Sequence, residues 1–340
     1  MNTKTPQIGY AASVKDEHRA AVEAYIKKLT DTGLPVILSP AHFSLLVKIQ
    51  MHELFSISNA PDRYYTDFSV RKHNGGKRLI SAPLPLLLYL QKWVLSNILE
   101  TTEIHPAAKA YRKRSSIKEN AKFHRKQAFV FKSDVRDFFG SISSFWVYNY
   151  FRTLGYTKAV SRLLSGICTK NGCLPQGAAT SGYLSNIFMK ECDEKLLVYC
   201  REHGLRFTRY ADDIAISGGE VDFPSLRQFV DKMLSDHDLN INLAKTRCIA
   251  QHARQKIAGV VVNSRMSPGR DFLRQLRQDI YYIEKYGIYG HARQTGWRSP
   301  QACLNNTLGR ISHALFLLGK DKNLESKKRK LEQMAKPFDN

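Results

Sequence analysis

Two aspartates stand side by side in the run Arg206-Phe-Thr-Arg-Tyr-Ala-Asp-Asp-Ile-Ala-Ile-Ser217. Adjacent carboxylates repel and Asp is a poor strand residue, so Asp212 and Asp213 at a hairpin tip carry a cost that packing does not explain. A divalent cation removes the conflict, because hard ions such as Mg²⁺ take carboxylate oxygens and keep open positions for phosphate. The chemistry implied is metal-dependent phosphoryl transfer. Asp-Asp pairs also occur in ordinary turns, so the question is whether another carboxylate reaches the same place. Asp134 closes the buried-type strand Ala128-Phe-Val-Phe-Lys-Ser-Asp-Val135. If that strand neighbours the hairpin, three carboxylates meet at one sheet edge. A two-metal centre needs this, with ions about 4 Å apart serving the attacking hydroxyl and the leaving group. Taken singly, Asp134 reads better as an ordinary strand-end residue.

The elements that must hold these residues follow from periodicity and from chain breakers. Amphipathic stretches around Ala20–Leu29 and Phe43–Leu54 make residues 1–60 mainly helical, with Gly33-Leu-Pro35 breaking between them. Tyr64–Val70 alternates like a strand, and His73-Asn-Gly-Gly76 turns it into a basic returning strand, Lys77–Pro83. Leu86–Leu99 reads as a helix and Tyr111–Lys126 as a strongly basic, partly looped stretch. Ser143 or Ser144 caps the next helix. Leu174-Pro-Gln-Gly-Ala-Ala-Thr-Ser-Gly182 leads into a long helix that Gly204 ends. After the 206–217 hairpin come a helix near Ser225–Asp236, strands around Lys245–Ala250 and Lys256–Val262, and a helical, basic stretch over 266–340. The order predicts an α+β fold, an antiparallel sheet backed by helices and flanked by two helical or mixed appendages.

Charge narrows the class of partner. The 340 residues carry 52 Lys+Arg against 30 Asp+Glu, a formal charge of +22. Such an excess suits nucleic acid better than an anionic membrane. The longest apolar run, Leu84–Leu90, is too short to span a bilayer and contains Pro85, and the N-terminus has no apolar signal core. A cytoplasmic protein without a membrane partner is the expectation. Cys168, Cys173, Cys192, Cys200, Cys248 and Cys303 form no CxxC pair, so reduced thiols are expected rather than zinc ligands. Between Arg265 and Asn340, 15 Lys/Arg outnumber 7 Asp/Glu and are interleaved with Tyr281, Tyr282, Tyr286 and Tyr289. Basic helices track phosphates and aromatics stack on unpaired bases. Lys327, Lys328, Arg329 and Lys330 are RNA-binding candidates there, or else a solvated helix end.

The Asp134 strand, Leu174-Pro-Gln-Gly177, Tyr210-Ala-Asp-Asp213 and Leu239-Asn-Ile-Asn-Leu-Ala-Lys-Thr246 resemble, in order and spacing, successive motifs of reverse transcriptases. The resemblance covers roughly residues 60–265. It implies a polymerase right hand: an N-terminal helical region over 1–60, fingers over 61–127, a palm over 128–263 with a fingers insertion near 143–175, and a basic helical thumb over 264–340. It implies Asp134 and Asp212 as principal metal ligands, with Asp213 third and the Val135 carbonyl assisting. The cofactor would be Mg²⁺, two per active site, with Mn²⁺ able to substitute. Arg78 matches the finger arginine that clamps the incoming triphosphate, a task suited to a guanidinium fork. Phe139, five residues past Asp134, falls at the steric gate that selects dNTPs; the alternative is a core ring beside Phe138. Gln176 and Gly177 would line the nucleotide pocket, with Gly letting the backbone approach closely. Lys245 matches a lysine placed to protonate or neutralise departing pyrophosphate, or is an exposed strand residue.

A finer resemblance is to retron reverse transcriptases. Asn120-Ala-Lys-Phe-His124 fits their NAxxH pattern, which makes Asn120 and His124 candidate RNA-binding residues, or a capping Asn and a buried His. Ile257-Ala258-Gly259 stands where that group carries Val-Thr-Gly. The resemblance implies a structured non-coding RNA as template and partner, priming from a guanosine 2′-hydroxyl, and a branched RNA–DNA product, msDNA. It further implies anti-phage defence with a toxin or effector from the same locus. The length leaves no room for an appended maturase, endonuclease or RNase H domain. Rival readings are a group II intron-like, diversity-generating or other phage-defence reverse transcriptase, and a non-catalytic RNA-binding module on a palm fold. An RNA-dependent RNA polymerase would place a second Asp where Phe139 stands, and no helix-turn-helix supports a DNA-binding regulator.

Overall fold

Along the chain, apolar periodicity and local caps set out the elements, which a computed structural model describes for residues 16–71 and 75–335. Helix α1 (Asp16–Asp31) precedes α2 (Pro40–Val47) and α3 (Met51–Asn59). Strands β1 (Tyr65–Arg71) and β2 (Lys77–Pro83) pair antiparallel, and α4 (Pro85–Asn97) follows. The stretch expected as one helix over Phe43–Leu54 is two, because Lys48 ends α2 in the left-handed conformation at φ +56°. No Gly or Pro marks that break, so the sequence hid it. The turn expected at His73-Asn74 lies outside the described residues.

Next come α5 (Ile117–Phe123), β3 (Phe129–Asp134), α6 (Ser144–Thr153) and α7 (Lys158–Cys168). Ser143 caps α6, accepting from the Trp146 N–H at 3.2 Å. The expected long helix after Gly182 divides at Met189 into α8 (Ser181–Phe188) and α9 (Lys190–Glu202). Strands β4 (Arg206–Tyr210) and β5 (Asp213–Gly218) form the hairpin, and α10 (Phe223–Ser235) and β6 (Arg247–Ala250) follow. Where one strand was expected over Lys256–Val262, β7 (Lys256–Ile257) and β8 (Val260–Val261) make a small hairpin. Ala258 and Gly259 turn it at φ +42° and +87°. The tail is α11 (Arg270–Gln294), kinked at Gly287, then α12 (Pro300–Leu318) and α13 (Lys322–Ala335).

The chain forms two compact units. The first comprises the described part of Met1–Ile104 with Asp137–Lys190. Its core joins Leu29, Phe43, Leu54, Leu87, Leu90, Phe151 and Leu164, all fully buried. Helix α7 packs on α3, and a Cβ on Gly166 would collide with the Ser58 carbonyl, so only glycine permits that approach.

The second unit comprises His105–Arg136 with the described part of Glu191–Asn340. Its four-stranded antiparallel sheet has the order β4-β5-β3-β6. β3 is therefore central, which explains its near-continuous burial. Within this unit α11, α12 and α13 share a core of Leu276, Ile280, Ile283, Leu304, Ile311 and Leu331.

Candidate active site

Sheet register brings the carboxylates together. β3 and β5 pair so that Asp134 lies directly opposite Asp213, while Tyr210 opposes Asp213 in the β4–β5 hairpin. Ala211 and Asp212 are left to make the turn. The Asp212 carbonyl accepts from the Val135 N–H at 3.0 Å, which ties the turn to the end of β3. Asp134 is 8% exposed, and Asp212 and Asp213 are half-buried. Burial, then the charges of Asp134 and Asp213, pushes the Asp212 carboxyl up to about 6. Burial also raises Asp213, against the pull of the Lys132 ammonium 3.9 Å away.

Past Asp134 the chain bridges antiparallel to residues 240–242. Asn242 N–H donates to the Asp134 carbonyl and Arg136 N–H to the Asn240 carbonyl, both at 2.8 Å. In such a pair alternate residues turn their peptide groups to opposite sides. By that alternation the Val135 carbonyl lies on the same side as its N–H, which donates to the Asp212 carbonyl.

Lys245 sits in a short 3₁₀ turn, Leu243–Lys245, rather than on a strand. Its ammonium donates to both Asp134 oxygens at 2.8 Å, and Asn242 Nδ2 donates to one of them at 3.2 Å. Among the described residues no three His, Cys, Asp or Glu side chains are gathered closely enough to hold a metal ion as they stand. At Asp134 the place of a cation is taken by the lysine. The donor set nevertheless fits a hard divalent ion: the carboxylates and the carbonyl offer oxygens, and the negative charge around Asp212 is only partly offset by Lys245.

The other candidates for nucleotide contact lie in the first unit. Arg78 is exposed on β2, opposite Val70. Phe138 is buried at 4% exposure, while Phe139 is half-buried, packed against the first unit's core and tilted against Phe138 with ring centroids 5.3 Å apart. Gln176 accepts the Ser81 N–H on its carbonyl at 2.9 Å. Gly177 lies beside it at φ +132°, and a Cβ there would strike the Ser81 carbonyl. Its glycine is thus demanded by β2 itself, a reason the sequence did not disclose.

Sequence reasoning missed what braces this loop. Lys170, 7% exposed, donates to both Asp67 oxygens at 2.6 and 2.7 Å and to Ser81 Oγ at 3.2 Å. Fully buried Gln91 reaches Tyr65 Oη, the Ile167 carbonyl and the Ala179 N–H. Together they join the root of the β1–β2 hairpin to the loop carrying Gln176. Gln91, in the largely apolar run over residues 86–94, was the sequence signal; Lys170, between Thr169 and Asn171, gave none.

Two RNA-binding expectations need correction. Asn120 and His124 are 1% and 0% exposed and face the sheet, so neither presents its side chain to nucleic acid. Thr208 Oγ1 donates to Asn120 Oδ1 at 2.5 Å, so His124 Nε2 donates to Thr208 and Nδ1 accepts from Ser217, each at 2.7 Å. The pair fastens α5 to β4 and β5. Lys327 is engaged by Glu284 at 2.6 Å and Lys328 lies 3.5 Å from Glu332, whereas Arg329 and Lys330 are exposed. Tyr281, Tyr286 and Tyr289 are exposed on α11.

Comparison with known proteins agrees with this geometry. Residues 70–262 match the family described as Reverse transcriptase (RNA-dependent DNA polymerase). The chain is 31% identical over 278 residues to Retron Ec86 reverse transcriptase of Escherichia coli, covering 80% of this chain and 86% of that one. The chain belongs to the retron-type reverse transcriptases. It is also 30% identical to Retron Mx162 reverse transcriptase of Myxococcus xanthus over 257 residues, 65% of this chain and 53% of the relative. Retron Ec48 reverse transcriptase of Escherichia coli is 27% identical over 295 residues, 80% of this chain and 72% of the relative.

As a reverse transcriptase it is an RNA-directed DNA polymerase, a family that works with divalent metal ions, and retron enzymes work with a non-coding RNA template and dNTPs. Its helices and antiparallel sheet are those of a right-hand polymerase. Among the described residues no helix is long and apolar enough to cross a membrane.

Proposed function

We propose that this reverse transcriptase extends DNA from a guanosine 2′-hydroxyl of a structured RNA and leaves a branched RNA–DNA product. The observation that carries the reading is the register of Asp134 against Asp213, with Asp212 in the intervening turn. Asp134, Asp212, Asp213 and the Val135 carbonyl would hold two Mg²⁺, replaceable by Mn²⁺. Those ions would supply charge stabilisation for the attacking oxygen and the leaving pyrophosphate. Arg78 would grip the triphosphate, Gln176 and Gly177 would shape its pocket, and the half-exposed Phe139 would bar a ribose 2′-hydroxyl. Lys245, which donates to Asp134, would supply a proton or positive charge to the departing pyrophosphate. Arg329 and Lys330 would meet RNA phosphates. Residues 61–127, 128–263 and 264–340 would serve as fingers, palm and thumb. The reading extends to a place in anti-phage defence beside an effector from the same locus, as the sequence's resemblance to retron enzymes implies.

The test is the nucleic acid that co-purifies when the chain is expressed with its native flanking sequence. On a denaturing gel, a discrete DNA that survives RNase A and shifts with debranching enzyme is expected. RNA alone would contradict the branched product, and unaltered phage plaquing on deleting the locus would contradict defence.

A further inference from the structure

The largest fully buried side chain in the described protein is an arginine. Arg209, on β4, and Asp193, on α9, are both 0% exposed. Arg209 Nε and Nη2 donate to the two Asp193 oxygens at 2.7 and 2.6 Å, a bidentate fork. Its third arm, Nη1, donates to the Ala211 carbonyl at 2.9 Å. The backbone is held as well: Arg209 N–H donates to the Ala107 carbonyl at 2.9 Å, and Lys109 N–H to the Arg209 carbonyl at 2.8 Å.

Stability does not account for this arrangement. Buried ion pairs are commonly matched or bettered by apolar residues of the same volume, because both charges must be stripped of water. What the pair secures is a backbone conformation. Ala211 sits at φ +57°, the left-handed region that a residue with a Cβ avoids, and it immediately precedes Asp212. The turn is thus held from two sides, by Arg209 at the Ala211 carbonyl and by Val135 at the Asp212 carbonyl.

We propose that the Asp193–Arg209 pair is a positioning device for Asp212, holding the strained turn so that its carboxylate is aimed before any metal or substrate binds. Neither residue touches the reacting atoms. Asp193 orients the guanidinium, and the guanidinium fixes the peptide that aims Asp212. The inference rests on the assignment of Asp212 as a metal ligand.

The test uses the full chain with a template–primer and compares Asp193→Leu/Arg209→Met, which removes both charges at similar volume, with Arg209→Lys, which keeps both charges but loses the fork. Mn²⁺ binding is read directly by electron paramagnetic resonance, and kcat, KM and thermal unfolding are read alongside. The double variant is expected to stay folded with KM for dNTP little changed. Its kcat should fall by about 100-fold, the scale of a displacement near 1 Å. Half-saturating Mn²⁺ should rise by about tenfold, as when an outer ligand-orienting group is lost. If the double variant fails to fold, Arg209→Lys decides by the same readouts. A folded variant that binds Mn²⁺ and turns over like the parent overturns the proposal. Asp212→Asn separates the two levels: if it too binds Mn²⁺ normally, the metal-ligand assignment is what fails.

Discussion

Single side chains here act through what they are pressed against. Asp212 is pushed up to about 6 by burial and by two neighbouring carboxylates, while Asp134 is matched by Lys245 at 2.8 Å. Phe139 is half-buried where Phe138 is buried at 4% exposure. Phe139→Ala should therefore raise rNTP incorporation by roughly 10–100-fold relative to dNTP, the range of steric selection in a pocket, measured in single-nucleotide extension. An unchanged ratio would remove the gate. Gly177→Ala must place a methyl group on the Ser81 carbonyl at φ +132°. It should cost about 1–3 kcal/mol in urea unfolding and lower dNTP use by shifting Gln176. The acidic residues were legible because adjacent aspartates have few structural excuses. Arg209 and Lys170 were not, because a lone cation in a sequence looks solvated until its partner, 16 or 103 residues away, is known.

At the scale of elements, strands with alternating or continuous apolar runs were readable, and the β3–β5 pairing is what the converging aspartates demanded. Helix breaks at Lys48 and Met189 were not readable, since neither carries a Gly or Pro signal. The NAxxH segment was read as an RNA contact, whereas its Asn and His pin α5 to the sheet from inside. Burial, then the charge of Arg206, lowers His124 to about 3, so the folded state refuses a proton that the unfolded chain takes up below its ordinary value. The unfolded state then binds more protons, and stability must fall as pH drops from about 6.5 towards 3, by about 1.4 kcal/mol per pH unit at most. Urea midpoints across that range should show the slope, and His124→Asn, which cannot titrate, should flatten it. A parent slope identical to the variant's would mean that His124 is not the group responsible.

Over the whole molecule, the charge of +22 is the property that composition alone made plain. Some basic residues are committed to internal pairs, as Lys327 is with Glu284, so exposure decides which remain for RNA. Arg329→Glu/Lys330→Glu should shallow the salt dependence of RNA binding by about 0.7 per lost phosphate contact, without changing the thermal midpoint. Lys327→Glu should instead lower that midpoint, because it sets two acidic groups against each other between α11 and α13. Equal effects from the two variants would deny the distinction.

On the proposed reading, the three aspartates at one sheet end perform RNA-templated DNA synthesis. The most direct measurement is dNTP incorporation on an RNA template with Mg²⁺, for the parent and for Asp212→Asn, with RNA affinity measured on the same preparations. Synthesis should fall by at least about 10³-fold, the scale expected when a group that stabilises the transition state is lost, while RNA binding stays unchanged. Synthesis that survives the substitution, or synthesis and RNA binding lost together, would contradict it.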